Sequence, residues 1–123
     1  MGLQLSTRKS GDVTIIDLRG RVTIGRPNDA LSAELRKLAE AGPRDILVNL
    51  AGVTQVDSSG ISTIVRSFVT LERRGGRLKL VNAVGHVREV LELTRLIRSI
   101  PTFENEAAAL ASFHEKAKGE KAD

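Results

Sequence analysis

From residue 45 onward, short apolar runs alternate with stretches of helical periodicity, and this alternation constrains the fold more than any other feature of the sequence. The run DILVNL (45–50) has the length of a buried strand. In ISTIVRSFVTL (61–71) apolar residues recur at three- and four-residue steps, which indicates an amphipathic helix. The pattern continues as a strand in RLKLVN (77–82), a helix in GHVREVLELTRL (85–96), a short edge strand in IRSIPTF (97–103) and a last helix in ENEAAALASFHEKAK (104–118).

The first 42 residues add two strands and one helix. A Gly11-Asp12 turn joins two alternating segments, the second of which is interrupted by Gly20 and extended by Val22–Ile24. The segment GRPNDALSAELRKLAEAG (25–42) predicts a helix that opens near Pro27 and closes at Gly42-Pro43. The order β-β-α-β-α-β-α-β-α predicts one α/β domain with a mixed sheet, in which helical crossovers join parallel later strands.

Composition narrows the class of protein. The chain has 123 residues, enough for one core, and its apolar fraction of 41% is that of a globular domain. It has no cysteine, which excludes disulfides and thiolate metal sites and fits a reducing compartment, so we expect a cytoplasmic protein. It has no Trp or Tyr and three Phe, so the core must be aliphatic. No apolar run approaches the length of a membrane span.

The formal net charge of +4 raises the question of a nucleic-acid partner. Charges of both signs are mixed along the chain, which favours an ordinary solvated surface. Aromatic platforms for stacking bases are also missing. We therefore expect no nucleic-acid partner; the alternative predicts a steeply salt-dependent affinity. In that alternative, the nucleic-acid-binding surface would be the basic stretch of Arg66, Arg73, Arg74, Arg77 and Lys79.

The turn VDSSG (56–60) interrupts two apolar elements with small polar residues. Asp57 follows a strand and precedes a helix, where its carboxylate can cap the amide of Ser59 or Gly60. Ser58 and Ser59 then occupy the first helical turn, at the sheet edge where α/β proteins usually bind ligands. Two adjacent hydroxyls at this place make the turn the candidate functional site.

Several interpretations of the turn stay open on the residues alone. Asp57 can act only as a cap, with Gly60 relieving crowding. An exposed serine can accept a phosphoryl group and switch a docking surface. The helix N-terminus can instead bind an anion or nucleotide phosphate, as in a scaffold or sensor. A serine nucleophile is disfavoured, because the turn lacks the Gly-x-Ser-x-Gly pattern and His86 and His114 are the two histidines. We expect no catalytic residue, no metal and no cofactor.

The stretch from ILVNL (46–50) through VDSSG to GGRLKLVN (75–82) and VLELTRL (90–96) resembles the STAS domain of bacterial anti-sigma factor antagonists. The resemblance implies a small mixed sheet with helices packed chiefly on one side. It also implies a partner, an anti-sigma factor with serine kinase activity, and a phosphatase that reverses the modification. The serine that directly follows the aspartate is the one modified, which is Ser58 here, with Ser59 as second choice.

The resemblance also implies a partner-binding surface. At two places in or near that surface, this sequence departs from the family pattern. The motif usually continues Gly-Leu-Gly, whereas this chain has Gly60-Ile61-Ser62. The loop after Gly20 carries Thr23 where well-known antagonists have an acidic residue. We expect a STAS domain over residues 1–117 and a disordered charged tail over 118–123. The predicted partner-binding residues are Asp57, Ser58, Ser59, Gly60, Ser62 and Thr23.

Overall fold

The computed structural model of the chain describes residues 2–42 and 44–122, with side chains described as far as His114 apart from that of residue 43. Its elements follow the predicted order, with one additional short helix. The strands are β1 (Leu3–Ser10), β2 (Val13–Val22), β3 (Asp45–Val56), β4 (Arg77–Val81) and β5 (Thr102–Phe103). The helices are α1 (Arg26–Glu40), α2 (Ser58–Arg73), α3 (Gly85–Leu93), α4 (Leu96–Ser99) and α5 (Glu106–Ala122).

The five strands form one mixed sheet in the order β1-β2-β3-β4-β5. β1 pairs antiparallel with β2 across the predicted turn, where Gly11 has the positive φ of 60° that a tight hairpin turn requires. The pairs β2–β3, β3–β4 and β4–β5 are parallel. The prediction of a mixed sheet with parallel later strands is therefore confirmed. The carboxyl ends of β2 and β3 meet at one edge, whereas β4 ends earlier, opposite Asn49.

The core lies mainly between the sheet and the helices of one face, as expected for helices packed chiefly on one side. Its larger cluster contains only aliphatic side chains among the fully buried residues, in agreement with the composition. α5 covers the opposite face, where Phe113 packs against Val13, Ile15 and Leu47. None of the helices described combines the length and apolar character that crossing a bilayer requires.

Two strand predictions need correction. β3 continues to Val56, six residues beyond the predicted end, because it pairs with β2 as far as Val22. β2 ends at Val22. The prediction extended it to Ile24, which lies in the following turn.

The segment 97–103, predicted as one strand, contains the turn of helix α4 and only a two-residue strand. Ile100 is extended, as residues before proline generally are, and β5 starts after Pro101. The edge position predicted for this strand is confirmed.

The carboxyl-terminal helix is assigned as far as Ala122, through most of the segment predicted as a disordered tail. Asp123 and the side chains from residue 115 onward lie outside the described part of the chain. The boundary at residue 117 stays a prediction.

Candidate functional site

The turn between β3 and α2 lies beside the loop between β2 and α1. β2 and β3 run parallel and end together, with Val22 opposite Val56. The amide of Asp57 donates to the carbonyl oxygen of Val22 at 3.3 Å. The two loops therefore meet at the carboxyl edge of the sheet, and residues from both can contribute to one surface.

The carboxylate of Asp57 connects these two loops. Its Oδ1 accepts hydrogen bonds from the amides of Ser59 (2.9 Å) and Gly60 (3.1 Å), which confirms the predicted helix cap. Its Oδ2 accepts from the amide of Ile24 at 2.9 Å. Three backbone N–H groups from two segments converge on one side chain, so Asp57 fixes both the start of α2 and the loop after β2.

These hydrogen bonds hold the pKa of Asp57 below the usual range of an aspartate. The amide of Ile24 has the largest effect, and those of Gly60 and Ser59 add to it. Each N–H donates to the ionised carboxylate and so stabilises it relative to the neutral acid. The turn therefore carries a fixed negative charge at neutral pH.

Asp57→Asn is expected to destabilise the protein at neutral pH and much less in acid. The asparagine oxygen can still cap α2, but its NH₂ group then faces the N–H of Ile24, donor against donor. A carboxylate with a lowered folded pKa stabilises the protein above the unfolded pKa and loses this effect as the pH falls through the folded value. The difference in free energy of unfolding between the two proteins, from urea titrations, should shrink below about pH 4.

The exposed Asp12 of the hairpin turn provides the control, since its side chain makes no hydrogen bond among the described residues. Asp12→Asn should change stability little at either pH. A penalty for Asp57→Asn that is equal at neutral and acid pH would contradict the assignment of the effect to its charge.

The structure brings all six predicted partner-binding residues to this edge. Ser58 and Ser62 are exposed and lie one helical turn apart, whereas Ser59 is half-buried. Thr23 is half-buried in the loop after β2, and its carbonyl oxygen accepts from the amide of Asn28 at 3.1 Å. The exposed hydroxyl nearest the cap is therefore that of Ser58.

Gly60 relieves crowding, as the capping interpretation predicts, and its place among the partner-binding residues stays a prediction. It is buried, and a Cβ atom there would lie 2.5 Å from the carbonyl oxygen of Val22 and 2.9 Å from Cγ2 of Val56. The close approach that this glycine permits is between α2 and β2, inside the protein.

The first turn of α2 has little capacity left for an external anion. Asp57 accepts from the amides of Ser59 and Gly60 through its side chain, and from that of Ile61 through its carbonyl oxygen at 3.0 Å. An anion at this N-terminus would have to displace the carboxylate or share its donors. This geometry disfavours the interpretation of the turn as an anion or nucleotide site.

Among the described residues, two exposed apolar side chains lie in the loops that follow the strands on either side of β3, and they were not identified from the sequence. Ile24, in the loop after β2, is 76% exposed, and Val84, in the loop after β4, is 58% exposed. β3 lies between these strands, so Ser58 follows the middle strand of the three. Nearby, His86 Nε2 lies 3.4 Å from the carbonyl oxygen of Val56. The edge thus combines apolar side chains with an exposed hydroxyl.

The basic stretch singled out in the sequence is divided between the two faces of the sheet. Arg66 and Arg73 belong to α2, and Arg74 is the residue that caps its carboxyl end. Arg77 pairs with Asp45 at 2.8 Å, and Lys79, only 3% exposed, donates to Ser112 Oγ at 2.8 Å beneath α5. These residues therefore do not form one continuous basic surface, which removes the basis of the nucleic-acid interpretation.

Other chemistry receives no support from the described residues. Neither histidine is hydrogen-bonded to Ser58 or Ser59 in that part of the chain. No group of three potential metal ligands occurs within it either.

A polar network on the α5 face was also missed by the sequence analysis. Arg8 contacts Asp17 at 2.6 Å and Glu106 at 2.7 Å, and Asn49 donates to Asp17 at 2.8 Å. Arg8 lowers the pKa of both carboxyl groups. The network joins β1, β2, β3 and α5, which is a structural role, and it lies away from the turn at Ser58.

Comparison with known proteins shows which sequences and structures this chain resembles. A family model described as the STAS domain matches residues 4–109. The chain is 27% identical to "Putative anti-sigma factor antagonist BtrV" of Bordetella bronchiseptica over 111 residues, which cover 90% of this chain and 95% of that protein.

Solved structures show the same fold. An anti-sigma factor antagonist from Mycobacterium paratuberculosis superposes with a TM-score of 0.78 at 19% identity, over 90% of this chain and 93% of the other. The Bacillus cell fate determinant SpoIIAA in its phosphorylated form gives 0.69 at 21% identity, over 91% and 99% of the two chains.

Proposed function

This chain belongs to the STAS domain family, and from that premise we propose that it is an anti-sigma factor antagonist controlled by phosphorylation of Ser58. In this proposal it binds an anti-sigma factor that is also a serine kinase, and so frees a sigma factor. The observation that carries the proposal is an exposed Ser58 on the first turn of α2, directly after the Asp57 cap. The likeness to SpoIIAA, a protein known in a phosphorylated form, supports it.

Exposure favours Ser58 over the other hydroxyls of the turn. A kinase must reach the acceptor oxygen, and Ser58 is exposed whereas Ser59 is half-buried. Thr63 is buried, and its Oγ1 donates to Asn28 Oδ1 at 2.6 Å. Ser62 is exposed but lies a full helical turn farther from the cap.

The effect of the phosphate follows from the hydrogen bonds around it. A phosphoserine adds about −1.5 to −2 charges. The amides of Ser59, Gly60 and Ile61 already bind Asp57, so the new charge finds those donors occupied and the ionised carboxylate beside it. The phosphate therefore stays at the surface and acts on the partner, leaving the fold of the turn unchanged.

The neighbouring residues suit an interface that such a charge would disrupt. Ile24 and Val84 offer exposed apolar side chains on either side of the strand that leads to Ser58, with Thr23 and Ser62 as polar neighbours. In this proposal the partner covers these apolar side chains and Ser58 together. Desolvating a dianion there without a cationic partner would be costly.

This function requires no catalytic activity of the chain itself. The kinase belongs to the partner, and a separate phosphatase restores Ser58. Because sigma factors act on transcription, the proposed place of action is the cytoplasm.

Phosphopeptide mapping of the protein from its own cells, in growth and in stress, tests this proposal. Trypsin should release residues 45–66 as one peptide, which carries Thr54, Ser58, Ser59, Ser62 and Thr63. We expect phosphate on Ser58, at an occupancy that changes between conditions, and its loss in Ser58→Ala. Ser62→Ala, which removes another exposed hydroxyl of the same helix, should leave the modification unchanged.

Absence of phosphate under every condition would contradict the switch. The chain would then be better described as a STAS scaffold or sensor without a phosphorylation cycle. A pull-down that assumes no kinase would be the next step in that case.

A further inference from the structure

A polar groove between α1 and α2 lies apart from the turn at Ser58. Its volume is about 190 Å³. Arg66, which lines it, follows Ser58 by eight residues, roughly 12 Å along a helix. The groove is lined by Ser32, Leu35, Arg36, Ala39, Glu40, Thr63, Arg66, Ser67, Thr70 and Arg74.

The charged residues that line this groove are three arginines and one glutamate. Among the described residues, Arg36, Arg66 and Arg74 have no carboxylate within 4.0 Å, although Glu40 lines the same groove. All three arginines are exposed, so solvent partly screens their charges. The lining carries an excess of two positive charges, whose repulsion a bound anion would relieve.

One of the three guanidinium groups is held by a hydrogen bond of ordinary length, and a second lies at the outer limit of hydrogen-bond distance from a threonine. Arg74 Nη1 donates to the carbonyl oxygen of Ala39 at 3.0 Å, across the groove from its own helix. Arg66 Nη2 lies 3.5 Å from Oγ1 of Thr63, which is itself buried and bonded to Asn28 of α1. Ordering of these side chains before binding reduces the entropy that a ligand must overcome.

We propose that this groove is a binding site for a small phosphate, either inorganic phosphate or the phosphoryl group of a small metabolite. Guanidinium groups match the oxygen geometry of phosphate, and the hydroxyls of Ser32, Ser67 and Thr70 supply further donors. A phosphate dianion carries two negative charges, which match the two excess positive charges of the groove lining. The volume is below the roughly 300 Å³ at which drug-sized pockets begin, so any group attached to the phosphate extends into solvent.

Calorimetric titration with inorganic phosphate, against sodium chloride of equal ionic strength, tests the site on the unmodified full chain. We expect saturable binding of phosphate and a rise in melting temperature. Scanning calorimetry is the suitable readout for that rise, because the chain has no Trp or Tyr for fluorescence. The double variant Arg36→Gln, Arg66→Gln should weaken the affinity by more than about tenfold, because each substitution removes charge-assisted hydrogen bonds.

Arg73→Gln is the matched control, since Arg73 lies on the same helix, is exposed and does not line the groove. It should retain the affinity. On the unmodified protein, amide NMR shifts on adding phosphate should centre on Ser67 and Thr70, which keeps the test decisive if the double variant folds poorly. A nucleoside monophosphate that binds more tightly than inorganic phosphate would identify an organic phosphate as the ligand; equal affinity would identify the free anion.

The proposal is overturned if sodium chloride reproduces the effect, if Arg73→Gln weakens binding as much as the double variant, or if the shifts centre on Ser58. No kinase is present in this experiment. Its failure would therefore leave the proposed phosphorylation of Ser58 untouched, and failure of the phosphorylation cycle would leave the groove untouched.

Discussion

Gly60→Ala is expected to destabilise the protein by about 2–3 kcal/mol, in the range of overpacked interiors. In a helix without tertiary constraints the same substitution stabilises by about 1 kcal/mol. The sign is reversed here because the new Cβ would lie 2.5 Å from the carbonyl oxygen of Val22 and 2.8 Å from its Cγ1. A backbone oxygen in a strand cannot move aside without disturbing the pairing of β2 with β3, so the start of α2 must shift instead.

Urea unfolding followed by far-UV circular dichroism measures this effect. Ser62→Ala is the matched control, because Ser62 is exposed on the same helix, and it should change stability by less than about 0.5 kcal/mol. If Gly60→Ala were as stable as the original protein, α2 would have room to move and the geometry of the turn would not be fixed by this contact.

The same substitution should also affect the functional surface. Asp57 caps α2 through the amide of Gly60 and reaches Ile24 through its other oxygen. A displaced helix start cannot keep both sets of hydrogen bonds. Gly60→Ala is therefore expected to disorganise the loop after β2 together with the turn, although it removes no polar group.

The parts of this molecule that depend on local sequence were predictable. The alternating periods determine strands and helices, and they were sufficient for the mixed sheet and its parallel strands. The cap at Asp57 depends on residues two and three positions away, so it could be read directly from the sequence. The exposure of Ser58 does not follow from its place in the first helical turn, because Ser59 in the same turn is half-buried.

The parts that depend on distant residues were not predictable. The bond from Ile24 to Asp57 joins residues 33 positions apart, and the contact that requires Gly60 comes from Val22 on another strand. The division of the basic stretch between two faces could not be predicted either, because it depends on β4 placing Arg77 and Lys79 beneath α5.

From sequence alone, an apolar residue is expected to be buried. The exposure of Ile24 and Val84 could therefore not be predicted. The helical turn α4 was missed for a related reason. Leu96 and Ile97 pack against the core, and an apolar pair fits a strand as well as a helix.

Ser58→Asp is expected to weaken binding of the anti-sigma factor kinase by about a hundredfold, a loss of about 2.7 kcal/mol, which lies within the cost of leaving a charge unpaired at an interface. The substitution adds one charge, so it should have less effect than phosphate. Ser58→Ala should bind as the unmodified protein does, because it removes only an exposed hydroxyl. Both variants should fold normally, as the hydrogen bonds of Asp57 do not involve the Ser58 side chain.

Calorimetric titration with the purified kinase, with Thr70→Asp as the control, separates a local effect from a general one. Thr70 is exposed on the same helix and is not a predicted partner-binding residue, so an aspartate there adds the same charge outside the proposed contact. Equal weakening by both aspartates would indicate general repulsion, and unchanged affinity of Ser58→Asp would exclude the switch. Salt distinguishes the mechanisms further, because repulsion between solvated charges is screened at high ionic strength whereas desolvation of a charge inside a contact is not. We therefore expect the Ser58→Asp penalty to persist at high salt, as it must if the partner covers Ser58 together with Ile24 and Val84.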